Sequence, residues 1–130
     1  MDLSLLKPVK ADKGATMEVV HPETEEVIPG MTITLLGQDS AVYRKMQLAK
    51  QQVILNRMAK GKKVADLDAE KLAEDTIDDL IKLTVKWSGF QLEGKDLEAT
   101  PDNFRMVYSD WPWIREQAQE FVASRANFFR

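Results

Sequence analysis

The chain has 130 residues, of which 44% are hydrophobic and 30% charged, with a formal net charge of −3 at pH 7. These are the size and composition of one ordinary globular domain, and the lack of cysteine excludes disulfides and thiolate chemistry. No apolar run approaches the roughly 20 residues of a membrane helix, and residues 1–12 lack the apolar core of a signal peptide, so we expect a cytoplasmic protein.

The N-terminal part predicts an arm followed by a β-hairpin. Residues 1–15 mix charged residues, proline and glycine with a leucine cluster, and we expect a flexible arm. Residues 16–36 predict two strands, over 16–20 and 26–36, because both runs contain β-branched residues and a turn-forming segment separates them. Pro29-Gly30 predicts that the second strand is bent or begins only at Met31.

Two long helices are predicted next, within a helical part spanning 39–130. The first begins after Asp39 or Ser40, which can accept the free N–H groups of its first turn, and runs over about 41–60. Helical spacing predicts its buried face from Val42, Met46, Ala49, Val53 and Ile54. The second starts at Asp66 or Asp68 and reaches about residue 87, with a predicted buried stripe of Leu72, Ile77, Leu80, Ile81 and Thr84.

Two shorter helices complete the predicted fold. Thr100-Pro101 is a helix-start signature, and a further helix starts at Asp110-Trp111-Pro112. Their predicted buried faces are Phe104, Val107, Tyr108 and Trp111, and then Ile114, Ala118, Phe121, Val122 and Arg125. We therefore predict an α+β fold, an N-terminal β-hairpin followed by about four α-helices, with one globular domain over 16–130.

Charge is strongly segregated in the middle of the chain. Residues 41–63 are basic without a single acid, through Arg44, Lys45, Lys50, Arg57, Lys60, Lys62 and Lys63. Residues 64–83 are mainly acidic. Antiparallel pairing of the two helices would place opposite charges along one seam. Two other interpretations of the basic segment stay open: it binds an acidic protein partner, or the basic helix 41–63 binds along the phosphates of a nucleic acid.

The residues that enzymes and metal sites need are scarce. His21 is the only histidine, so zinc cannot be held by the usual ligands, and no phosphate-binding glycine loop or nucleophile elbow is present. The acids between Asp66 and Asp79 could hold Mg²⁺, but their spacing indicates the solvated face of a helix. We therefore predict a protein that is not an enzyme, with no cofactor and no metal.

Aromatic and methionine side chains are the candidates for partner binding. The tryptophan clusters are also typical of core packing, and methionine is often core filler. Phe128 and Phe129 either fold back on the domain or dock on another chain, because two apolar rings are costly to leave in water. The predicted partner-binding residues are Trp111, Trp113, Phe121, Arg125, Phe128, Phe129, Met46 and Met58.

Several segments together resemble the tail assembly chaperones of long-tailed phages and prophages. They span nearly the whole chain: His21-Pro22-Glu23-Thr24, Gly37-Gln38-Asp39-Ser40-Ala41-Val42-Tyr43-Arg44, Trp87-Ser88-Gly89-Phe90, Trp111-Pro112-Trp113-Ile114 and Arg125-Ala126-Asn127-Phe128-Phe129. None is a catalytic signature, so the resemblance rests on the set.

The resemblance implies a protein of the bacterial cytoplasm that is absent from the finished virion. It would coat the apolar tape measure protein and help tail tube subunits polymerise around it, and a longer form of itself can arise by ribosomal frameshifting. The expected partners are thus the tape measure and tail tube proteins, with a homo-oligomer left open. A nucleic-acid-binding regulator and a structural head–tail connector are the alternatives.

Overall fold

The computed structural model describes residues 1–61 and 69–129 and has an α+β fold, so the predicted class is confirmed. Two 3₁₀ turns, Leu3–Leu6 and Arg125–Phe128, lie near the chain ends. The remaining elements are β1 (Ala15–Val20), β2 (Val27–Leu35), α1 (Ala41–Ala59), α2 (Ala69–Leu83), β3 (Thr84–Ser88), β4 (Gln91–Leu92), β5 (Lys95–Asp96), α3 (Pro101–Asp110) and α4 (Pro112–Ala123). None of the helices in these described ranges combines the length and apolarity that crossing a bilayer requires.

The predicted hairpin is present as strands β1 and β2. They pair antiparallel, with Ala15 opposite Leu35 and Met17 opposite Ile33. Alternation along β1 buries every second side chain, as expected for a sheet with one face on the core. β2 already begins at Val27 and continues through Pro29 and Gly30, so the alternative start at Met31 is wrong.

A third strand extends the hairpin where helix had been predicted. α2 ends at Leu83, and residues 84–88 form β3, which pairs antiparallel with β2 so that Ile33 lies opposite Trp87. The prediction of a helix to residue 87 is wrong because the free edge of β2 offers hydrogen bonds that local spacing cannot reveal. The predicted start of α2 at Asp66 or Asp68 lies outside the described residues.

Gly89 makes the end of β3 possible. Its φ is +78°, and a Cβ at this position would lie 2.2 Å from the carbonyl oxygen of Gly30. Only glycine combines that left-handed backbone with so close an approach to β2. Trp87 then stacks on Phe90 at 4.3 Å and meets the edge of Phe104 at 4.7 Å, so this aromatic group is core packing.

The core lies between one face of the sheet and helices α2, α3 and α4. Strands β1, β2 and β3 and each of these helices contribute buried side chains, among them Val19, Ile33, Leu35, Leu80, Trp87, Val107, Tyr108, Ile114 and Ala118. The predicted starts of α1 and α3 are confirmed: Ser40 caps α1 by accepting from the Tyr43 N–H, and Thr100 caps α3 by accepting from the Asn103 N–H. Local capping chemistry therefore sets where these helices begin.

Part of the predicted N-terminal arm is tied to the domain. The Lys10 N–H donates to the carbonyl of Phe128, and the Ala11 carbonyl accepts from the Gly37 N–H, both at 2.9 Å. The Asp12 carboxylate accepts from the Ala41 N–H at 2.7 Å, at the start of α1. The leucines of the first 3₁₀ turn, by contrast, are exposed. The division at residue 15 stays a prediction.

Tyr108 is the most enclosed titratable group among the described residues. Its side chain is 0% exposed, and its hydroxyl lies 2.8 Å from that of Thr84. Since Thr84 donates its own proton to the Leu80 carbonyl, the Tyr108 hydroxyl donates to Thr84. Burial raises the pKa of Tyr108 to about 12, because the tyrosinate would lose its hydration.

This pKa predicts an alkaline loss of stability. Below pH 10, the pKa of an unperturbed tyrosine, the folded and unfolded states both keep the Tyr108 proton, and the contribution of Tyr108 to stability is constant. Between pH 10 and about 12 the unfolded state loses this proton while the folded state keeps it. The free energy of unfolding therefore falls as pH rises through this range. Two pH units correspond to at most about 3 kcal/mol. Urea unfolding of wild type and Tyr108→Phe across this range measures it. A difference between them that does not change with pH would contradict the assignment.

Candidate partner-binding surface

Helix α1 is much more exposed than its sequence predicts. Of the five residues predicted to form its buried face, only Met46 is buried, at 7% exposure. Val42, Val53 and Ile54 are exposed, and so is Ala49. That prediction is wrong because apolar residues occur on all sides of this helix, so spacing alone does not select the side that packs.

The outward side of α1 carries large apolar side chains, which we call the outer stripe: Leu48, Leu55 and Met58. Their side chains are 65%, 59% and 61% exposed. Leu48 and Leu55 are two turns apart and lie opposite Met46, the residue through which α1 reaches the core. Three large apolar side chains on one exposed face are typical of a surface that binds another protein.

The charges of α1 are only partly neutralised by α2. Lys50 forms an ion pair with Asp79, as the helix-pairing interpretation predicts. Within residues 1–61 and 69–129, no other cation of α1 makes an ion pair with a carboxylate. Arg44 instead donates to the backbone carbonyl of Asp39 at 2.9 Å. Helix pairing thus accounts for one basic residue of α1 in the described part of the chain.

The C-terminal aromatic residues divide between interior and surface. Phe128 is 1% exposed and packs with Ala11, Ala15 and the edge of Phe121, whose ring centroid is 5.5 Å away. A Cβ on Gly37 would lie 2.9 Å from the Phe128 ring, so a glycine is needed beneath it. Of the two alternatives weighed for this pair, Phe128 therefore folds back on the domain, whereas Phe129 remains exposed.

The other predicted partner-binding residues are spread over the molecule. Trp111, Trp113 and Phe121 are half-buried and pack against the core. Arg125 forms an ion pair with Asp39 at 3.0 Å on the surface. The structure thus brings Trp113 and Phe121 together along α4, places Met46 and Phe128 inside, and leaves Met58 exposed on α1. That these eight predicted residues contact a partner stays a prediction.

A groove of about 730 Å³ lies between β1 and α4. Glutamates line much of it, together with His21, Trp113 and Phe121. His21 is exposed in the hairpin turn, where its Nδ1 accepts from the Glu23 N–H. Gln117 links α4 to β1: its side-chain amide accepts from the N–H of Val20 at 2.9 Å and donates to the carbonyl of Val20 at 2.7 Å. In residues 1–61 and 69–129, no three histidine or carboxylate groups are grouped as metal ligands would be.

Leu48 and Leu55 are absent from the predicted site because the sequence prediction took only methionine and the C-terminal aromatic and arginine side chains as partner-binding, and left these two leucines unassigned. The signal was nevertheless present, since α1 contains more large apolar residues than one buried face can take.

Comparison with known proteins does not identify a functional site: no protein family, curated protein or solved structure matches the chain.

Exposure of the outer stripe predicts a sharp contrast in stability. Leu55→Ala should change the free energy of unfolding by less than about 0.5 kcal/mol, because the side chain makes few buried contacts. Met46→Ala, on the same helix, should cost about 2–5 kcal/mol through the cavity it leaves. Urea unfolding measures both variants. Equal losses would mean that Leu55 is buried in solution.

Proposed function

We propose that this protein is a tail assembly chaperone, which binds the tape measure protein of a long-tailed phage or prophage in the host cytoplasm and promotes tail tube assembly without catalysis. The outer stripe of α1 is the observation that carries the binding part of this proposal. The nature of the client comes from the sequence segments that resemble this chaperone family, such as Trp87-Ser88-Gly89-Phe90.

A chaperone for an apolar client needs accessible apolar surface within a charged frame. The outer stripe supplies the apolar part, and Arg44 and Lys45 on the same helix supply the charge. Methionine suits such a surface because its flexible thioether adapts to different partners. The domain beneath holds α1 through Met46 and the Lys50–Asp79 ion pair.

The size of the outer stripe supports weak, repeated binding rather than one tight contact. Burying a large apolar side chain contributes about 1.5–3 kcal/mol, so three that are already partly covered contribute about 3–5 kcal/mol in total. Association costs offset much of that gain. A long client that offers many similar segments would hold several copies at once, and release of each copy would stay fast.

A nucleic-acid-binding regulator is the second candidate, and the absence of acids from α1 is the observation that favours it. Phosphate contacts would make its affinity fall steeply with salt. The outer stripe weighs against it, because Leu48 and Leu55 occupy the middle of the exposed face and cannot bind phosphate.

Co-expression tests the proposed function. With the tape measure protein encoded beside its gene, we expect the chain to form a soluble complex that co-purifies, since the chaperone covers apolar segments that otherwise aggregate. Expression of the tape measure protein alone is the control and should leave most of it insoluble. Assembled particles, probed by mass spectrometry, should lack the chaperone.

Three results would count against this function. If both partners are folded and do not co-purify, the chaperone assignment fails. Presence of the protein in purified virions would favour a structural head–tail connector instead. Salt-sensitive binding to DNA or RNA, with no binding to the tape measure protein, would favour the regulator.

A further inference from the structure

The outer stripe has the spacing of a helix–helix seam. Leu48 and Leu55 are seven residues apart, and Met58 follows three residues later. Arg44 and Gln51 complete the same alternation of three and four residues, which is the pattern that two helices use when they pack at a shallow angle. From Arg44 to Met58 the seam is about 21 Å long, or nearly four helical turns.

Cations stand at the N-terminal end of this seam. Arg44 is its first residue and Lys45 flanks it, whereas Lys60, which follows the last residue of α1, falls on the other side of the helix. Lys50, on the side of α1 that faces α2, is instead paired with Asp79. The accessible face of α1 therefore combines an apolar centre with a positive N-terminal end and contains no acid.

We propose that the outer stripe binds an acidic amphipathic α-helix of the client, an inference that rests on the proposed client-binding function and adds the surface and the kind of segment it takes. Such a helix places leucine-like side chains against Leu48, Leu55 and Met58. Its flanking glutamates or aspartates lie against Arg44 and Lys45. The partner helix needs about 14 residues to cover the seam at 1.5 Å per residue.

A second copy of the chain fits this surface poorly. If α1 packs parallel on α1 of another copy, Arg44 and Lys45 meet the same residues of the partner. If it packs antiparallel, two helices that carry basic residues and no acid still lie side by side. Both arrangements oppose like charges, which disfavours the pairing. An acidic helix turns the same contacts into attraction, so charge complementarity selects a different partner.

The test uses two synthetic helical peptides of about 21 residues, or three heptads. Both have leucine at the seam positions; one has glutamate at the flanking positions and the other lysine. We expect the glutamate peptide to bind the intact protein at least about tenfold more tightly, measured by fluorescence anisotropy, because only it complements Arg44 and Lys45. Its affinity should fall several-fold as salt rises from about 50 to 300 mM, since screening weakens these contacts.

Two variants separate the apolar from the charged contribution. Leu48→Glu with Leu55→Glu should weaken the glutamate peptide at least about tenfold, whereas Leu92→Glu, a matched change at an exposed leucine of β4, should not. Arg44→Glu with Lys45→Glu should reverse the preference toward the lysine peptide, which a merely structural role cannot do. Circular dichroism and thermal unfolding establish that each variant is folded.

The results distinguish this inference from the function on which it rests. It is overturned if the glutamate peptide does not bind, if both peptides bind equally, or if the stripe variant and the Leu92→Glu control behave alike. Binding of a labelled DNA duplex to the protein, without binding of the glutamate peptide, would also overturn it. If the wild type and the stripe variant both co-purify with the tape measure protein, the chaperone function stands and this surface is wrong. If the glutamate peptide binds the stripe while the tape measure protein does not co-purify, the surface stands and the function is wrong.

Discussion

Strand β2 is the element on which the rest of the structure depends. It pairs with β1 on one side and β3 on the other, and it places Ile33 and Leu35 fully inside. Helices α2, α3 and α4 cover these side chains and complete the core. Because the core is closed without most of α1, that helix contacts it through little more than Met46 and Tyr43, and its other apolar side chains remain accessible.

Features with local causes could be predicted from the sequence. The hairpin follows from β-branched runs around a turn, and the starts of α1 and α3 follow from Ser40 and from Thr100 with Pro101. Features with distant causes could not. β3 exists because β2 has an edge to fill, and this partner is some fifty residues away along the chain.

The candidate site was harder to predict for a related reason. Phe128 and Phe129 are neighbours of the same type, yet only Phe128 is buried, where it packs against Ala11, Ala15 and the backbone of Gly37. Nothing near Phe128 in sequence indicates this. For α1, spacing identified apolar positions but not how few of them the core would cover, so the exposure of Val53 and Ile54 as well as of Leu48 and Leu55 became recognisable only in three dimensions. Charge segregation, by contrast, was plain in the sequence, and the Lys50–Asp79 ion pair explains part of it.

The amide of Gln117 has a consequence for how copies of this protein meet. An outer strand with free N–H and carbonyl groups invites another strand to join the sheet, which is a common route to aggregation. Gln117 engages both groups of Val20 in the manner of a neighbouring backbone, and the β-bulge beside Val20 interrupts the regular ladder. Strand addition is therefore blocked at this end of β1. A second copy that approaches this end of β1 therefore meets backbone groups that are already hydrogen-bonded and not an open strand edge.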